Sequence, residues 1–178
     1  ALAEKHGLRE EQILCGNGAA DLIFRLCAWK KPRKTLTLAP TFSEYERSVL
    51  LFGGKMEFCH LKEEDNFILS WGFLDALTDD IDLLFLCNPN NPTGRLAEPD
   101  LMKEILLRCK KKGILLLVDE CFIDFTQGTS LETRLADFPN LLILRAFTKL
   151  YSIAGLRLGY LLGEKQLLMQ IEKFGHTW

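Results

Sequence analysis

The sequence predicts a doubly wound α/β domain, a mostly parallel sheet covered by helices on both faces. Three observations point there. Short apolar runs alternate with helical patterns along the chain. Two runs, Leu83-Leu84-Phe85-Leu86 and Ile114-Leu115-Leu116-Leu117-Val118, are apolar at every position, as strands buried on both faces are. Polar and glycine-containing strings follow the runs, on the edge where such sheets bind ligands.

The elements follow in order. The chain opens in charged, helix-like sequence, Ala3-Glu4-Lys5-His6, without an initiator methionine. It stops at Phe174-Gly175-His176-Thr177-Trp178 without a natural finish. A piece of a longer polypeptide is expected. Gly16-Asn17-Gly18 precedes a helix over 19–29, and a strand over 35–39 leads to a helix over 43–52. A strand over 56–61, a helix over 71–77 and a strand over 83–87 come next. In the helix over 98–112, Leu101, Ile105 and Cys109 recur at i, i+4 and i+8, with Lys103, Lys110 and Lys111 off that stripe. Lys110-Lys111-Lys112 suits a helix C-terminus, and Gly113 ends it. A strand over 114–119, a helix over 131–137 and strands over 141–147 and 156–162 complete the set. With no repeat, low-complexity segment or linker, residues 1–178 read as one domain.

Composition narrows the function. The chain is 48% hydrophobic and 26% charged with a formal net charge of -2, which gives no electrostatic case for nucleic acid or membrane binding. The basic runs Lys30-Lys31-Pro32-Arg33-Lys34 and Lys110-Lys111-Lys112 read as solvated helix ends or loops. No apolar stretch approaches the roughly 18 residues of a membrane span. The six cysteines include no C-x-x-C pair and read as small buried hydrophobes of a reducing cytoplasm. His6, His60 and His176 show no metal-ligand pattern.

Four strings converge on the ligand edge. Gly16-Asn17-Gly18-Ala19-Ala20-Asp21 runs into a helix start, where small residues and free N–H groups favour an anion; a plain glycine turn would look the same. An apolar strand ending in Asp119-Glu120 also resembles the magnesium-binding strand of a P-loop NTPase, but no phosphate loop of that class is present. Asn88-Pro89-Asn90-Asn91-Pro92-Thr93-Gly94 is the most specific string, a rigid turn that sets amide side chains directly after a buried strand. Thr148-Lys149 follows the strand over 141–147.

These strings resemble the fold-type I pyridoxal-5′-phosphate (PLP) enzymes of the aspartate aminotransferase superfamily. Residues 88–94 match N-P-x-N-P-T-G, Asp119-Glu120 the D-E pair, Thr148-Lys149 the [ST]-K pair, and Gly155-Leu156-Arg157-Leu158-Gly159-Tyr160 the G-L-R-x-G string. Order and spacing agree over essentially the whole chain. The resemblance implies a seven-stranded, mostly parallel sheet, here without the small C-terminal domain.

It also implies roles. Lys149 would carry the cofactor as a Schiff base and move protons at the substrate. Asp119 would pair with the pyridinium nitrogen, Asn91 would hydrogen-bond the ring's 3′-oxygen, and Phe42 would stack on the ring. Backbone at Gly18 and Ala19, the Thr148 hydroxyl and the Arg157 guanidinium would hold the phosphate. Two positions depart from the common pattern. Phe122 stands where many aminotransferases have a tyrosine bonded to the 3′-oxygen, and Ala146 where relatives often have a phosphate-binding hydroxyl.

Within the superfamily, the strings around Pro40-Thr41-Phe42-Ser43-Glu44-Tyr45 and Asp119-Glu120-Cys121-Phe122 are most similar to the histidinol-phosphate aminotransferase branch, and inside it to the phosphothreonine decarboxylases of cobalamin biosynthesis. That implies a cytoplasmic homodimer acting on a small phosphorylated amino acid or amino alcohol, by decarboxylation or by transamination. A PLP-binding domain without catalysis is the reading from another class.

Overall fold

The structure is a computed structural model that describes residues 1–147 and 157–175. Its centre is a seven-stranded sheet of order β1-β7-β6-β5-β4-β2-β3. The strands are β1 (Ile13–Gly16), β2 (Lys34–Ala39), β3 (Lys55–His60), β4 (Leu83–Cys87), β5 (Leu115–Asp119), β6 (Leu141–Ala146) and β7 (Gly159–Leu162). β3, β2, β4, β5 and β6 run parallel, whereas β7 is antiparallel to both β6 and β1. The mixed but mostly parallel sheet is the expected one. The carboxyl ends of β1, β2, β4, β5 and β6 therefore share one edge, joined there by the start of β7.

The described helices of α type are α1 (Leu2–His6), α2 (Ala19–Lys30), α3 (Glu44–Leu51), α4 (Pro99–Lys112) and α5 (Lys165–Glu172). α4 covers one face of the sheet. Its Leu101, Ile105 and Cys109 are fully buried against Leu84, Leu86, Leu116 and Val118 in one core cluster, and each such aliphatic side chain stabilises by roughly 1.5–3 kcal/mol. Gly113 closes α4 at φ 69°, accepting the left-handed conformation that the helix stop needs. α2, α3 and α5 cover the other face, where Leu22, Leu26, Val49 and Ile171 pack on Phe85, Leu117 and Leu144.

The structure corrects the sequence reading in five places. β1 was not among the six strand candidates, because four residues of half-exposed character carry no clear period. The helices expected over 71–77 and 131–137 are 3-10 turns, Trp71–Ala76 and Leu131–Arg134. The strand expected over 156–162 begins at Gly159, with Arg157 and Leu158 outside it. Cys27, Cys87 and Cys109 are buried as expected, but Cys15 is exposed at the sheet edge and Cys59 and Cys121 are half-buried. The basic run 30–34 is also not simply solvated. Lys34 lies in β2 and pairs with Glu57 at 2.5 Å and with Asp80 at 2.9 Å. No helix among the described residues is long and apolar enough to cross a membrane.

Candidate active site

A cavity of about 130 Å³ opens at the shared carboxyl edge, on the α2 side of the sheet. Its lining includes Gly18, Ala19, Phe42, Asn91, Asp119 and Phe122, together with Ala146 and Arg157. Seven of the nine residues expected at the site are thus brought together. The other two, Thr148 and Lys149, lie outside the described residues. β6 delivers the chain to Ala146 on the cavity wall, three residues before Lys149.

The anion-binding corner forms where β1 turns into α2. Gly18 sits at φ 84°, ψ 171°, which a residue with a Cβ rarely adopts, and no side chain caps the helix. The first N–H groups of α2 are left for a ligand, with the positive end of the helix dipole behind them. Asp21 ties the turn, accepting from the Asn17 N–H at 2.8 Å and pairing with Arg25 at 2.7 Å. A Cβ built on Gly18 would stand 3.3 Å from a guanidinium nitrogen of Arg157, so that cation lies over the same turn. Gly159 lets β7 in from below, since a Cβ there would meet the Ala19 nitrogen at 2.8 Å.

The asparagine-rich turn divides its work. Asn88 Oδ1 accepts from the Ala97 N–H at 2.8 Å. Asn90 donates to the Pro40 carbonyl at 2.9 Å and to Thr93 Oγ1 at 3.1 Å, and accepts from Thr41 Oγ1 at 2.9 Å. Both amides are consumed in fastening this turn, Asn88 to the segment before α4 and Asn90 to the loop after β2. Asn91, next in line, lines the cavity.

Asp119 ends β5, buried but open to the cavity. Its Oδ2 accepts from the Tyr45 hydroxyl at 2.6 Å and its Oδ1 from the Cys121 N–H at 3.0 Å. A carboxylate has about four lone-pair sites, so capacity for a further donor remains. Burial and the Asp119 charge hold the Tyr45 phenol well above its usual range, and it stays protonated as a donor. The Cys87 and Cys121 thiols beside this carboxylate are pushed up by burial and by the same negative charge. Phe42 and Phe122 supply flat apolar surface. Phe42 meets Tyr45 edge-on at 5.5 Å, and Phe122 tilts on Phe125 at 6.3 Å.

Two features escaped sequence reasoning. Tyr45 lay inside a string read for its resemblance and received no role. His6 was set aside, yet its Nδ1 lies 2.6 Å from Glu132 and its Nε2 3.0 Å from the Tyr160 hydroxyl. Glu132, Glu120 and Asp124 surround Arg145, which lies on the opposite sheet face from the cavity. An inward-facing arginine in the strand 141–147 was the available signal, since a buried guanidinium needs partners.

Comparison with known proteins places the chain. The family described as aminotransferase class I and II matches residues 1–178. A threonine-phosphate decarboxylase of Salmonella typhimurium is 43% identical over 170 residues, 95% of this chain and 47% of its own length. A histidinol-phosphate aminotransferase of Chlorobium phaeovibrioides is 33% identical, over 97% of this chain and 47% of its own. The crystal structure of the histidinol-phosphate aminotransferase from Clostridium acetobutylicum superposes with a TM-score of 0.88 at 28% identity, over 99% of this chain and 53% of that one. The chain spans about half the length of the curated relatives it matches. A mixed seven-stranded sheet, a cavity at its carboxyl edge and a match along the whole sequence agree: the chain belongs to the aminotransferase class I and II family, whose enzymes depend on pyridoxal 5′-phosphate.

Proposed function

We propose that residues 1–178 are the PLP-binding large domain of a homodimeric enzyme that decarboxylates L-threonine O-3-phosphate to (R)-1-amino-2-propanol O-phosphate. The observation that carries the reading is one cavity lined by a helix start, a guanidinium and a buried carboxylate. Those donors and acceptors fit PLP, which has a phosphate at one end and a basic ring nitrogen at the other. The 43% identity to a threonine-phosphate decarboxylase supports the choice of reaction.

When bound, the cofactor supplies an electron sink for the pair left at the substrate Cα. The residues of this chain do the rest. The backbone at Gly18 and Ala19, with Arg157 and Thr148, would hold the phosphate, Gly18 as the side-chain-free turn whose own N–H donates to the Gly16 carbonyl at 2.9 Å. Asp119 accepts from the ring nitrogen and keeps a proton there. Asn91 donates to the ring's 3′-oxygen. Phe122 cannot, so that oxygen has one donor fewer than where a tyrosine stands. Phe42, on the cavity wall, would pack on the ring face. Lys149 anchors the cofactor and moves a proton at Cα. With Ala146 bringing no hydroxyl, the helix start, Arg157 and Thr148 would carry the phosphate.

A histidinol-phosphate aminotransferase is the second reading, favoured by the structural likeness at a TM-score of 0.88. It would use the same pocket. The deciding experiment gives the full-length protein PLP and L-threonine O-3-phosphate and follows carbon dioxide. Release without a keto-acid acceptor, abolished in Lys149→Ala, is the expected result. No release, with amino transfer from histidinol phosphate to 2-oxoglutarate, would overturn the decarboxylase in favour of the aminotransferase.

A further inference from the structure

Tyr45 is fully buried and does not line the cavity, yet it touches Phe42, Cys87 and Asp119, which do. Its ring lies parallel to Phe85 at 4.8 Å and 9°, which fixes the plane of the phenol. Its edge meets Phe42 at 5.5 Å and 84°. Its hydroxyl, the one polar atom of a side chain otherwise packed in the apolar core, is spent on Asp119 Oδ2 at 2.6 Å. A buried phenol needs some partner, but a backbone carbonyl would serve stability equally well. This one reaches across 74 residues of sequence to the carboxylate that faces the cavity.

The geometry of that carboxylate gives the contact its meaning. The Cys121 N–H fixes Oδ1 from the turn after β5. The Tyr45 hydroxyl fixes Oδ2 from α3, on a different part of the chain. Two donors from two elements hold the plane of a carboxylate that lines the cavity. Because the phenol keeps its proton, the donor never turns into an acceptor in the working pH range.

We propose that Tyr45 is a positioning residue: through one side chain it sets both the plane of Asp119, which meets the ring nitrogen of PLP, and the tilt of Phe42, which meets the ring face. It acts through those residues and touches no substrate. The proposal rests on the PLP site described above.

The test uses the full-length protein with PLP labelled with ¹⁵N at the ring. Affinity is read by titration, ring tilt by circular dichroism in the cofactor's absorption band, and the ring nitrogen by its ¹⁵N resonance. Tyr45→Phe should bind PLP about tenfold more weakly, in line with loss of a hydrogen bond to a charged group. Its dichroism band should change and its ¹⁵N resonance should leave the wild-type position. A Tyr45 that served stability alone would lower the unfolding midpoint and leave the resonance and the band where they were; that result overturns the proposal. If Tyr45→Phe does not fold, protein carrying 3-fluorotyrosine, a stronger donor, asks the same question. A moved resonance supports the proposal and an unmoved one overturns it. Wild-type protein that takes up no PLP overturns the site itself, and this inference with it.

Discussion

Asp119 and Glu120 are neighbours in sequence and opposites in environment. Strand alternation sends Asp119 to the α2 face, toward the cavity, and Glu120 to the α4 face. Asp119 has two donors and room for another. Glu120 is almost wholly enclosed: Ser130 Oγ donates to it at 2.6 Å and the Leu131 N–H at 2.8 Å, while Arg145 Nε lies 3.3 Å away. One carboxylate is kept available and the other is used up. The difference separates a group placed for a ligand from one that ties β5, β6 and the following loop into a fixed frame.

The comparison can be broken most strongly from the Glu120 side. Arg145→Leu removes the cation and leaves a buried carboxylate uncompensated, so urea unfolding should show a loss of about 3–5 kcal/mol. Adding Glu120→Gln to it should recover a large part, because the stranded charge is gone. On the other side, Asp119→Asn keeps the volume but sets an NH2 group against one of its two donors, and should cost about 1–3 kcal/mol, less than Arg145→Leu. In the full-length protein the decarboxylation proposed above should drop about 10²–10³-fold, the usual cost of losing a group that stabilises developing charge. A large stability loss in Asp119→Asn would erase the distinction.

Smaller effects sharpen it. Gly159→Ala drives a methyl group into the start of α2, and should cost about 1–3 kcal/mol by overpacking. The same variant should weaken PLP binding, read by titration, while Glu120→Gln should not. Glu120 also carries a pH signature. Burial raises its titration above the unfolded value, so the folded state holds its proton more tightly than the unfolded chain. Stability from this group is therefore full below the unfolded value and is lost as pH rises through the folded one. The slope is about 1.4 kcal/mol per pH unit within that window. Glu120→Gln should flatten this part of the stability–pH curve, measured by thermal unfolding from pH 4 upward.

Sequence carried much of this because the sheet's interior strands are apolar on both faces, a pattern that survives without knowledge of their neighbours. β4 was placed to the residue for that reason. β1 was missed because its four residues owe their pairing to β7, nearly the whole chain away. The turn residues of the cavity were legible where glycine or asparagine has a local reason to be present, as at Gly18 and in the string from Asn88 to Gly94. The Tyr45–Asp119 bond and the cluster around Arg145 join residues distant in sequence, and no local pattern encodes such meetings. His6 shows the same limit: an isolated histidine gives no hint that Glu132 and Tyr160 wait at its two nitrogens.

The antiparallel seat of β7 also sets an order of events during synthesis. β1 emerges early, but its register, Ile13 opposite Leu162 and Gly16 opposite Gly159, is completed by residues made near the end of this chain. At about 5–20 residues per second, the wait is on the order of ten seconds. Until then the turn at Gly18 has no strand beneath it, although Phe42, Asn91 and Asp119 have already been made. A nascent chain halted before Gly159 should hold the ring-facing half of the pocket and lack its grip on phosphate, so cofactor capture waits until β7 has been made and has paired with β1.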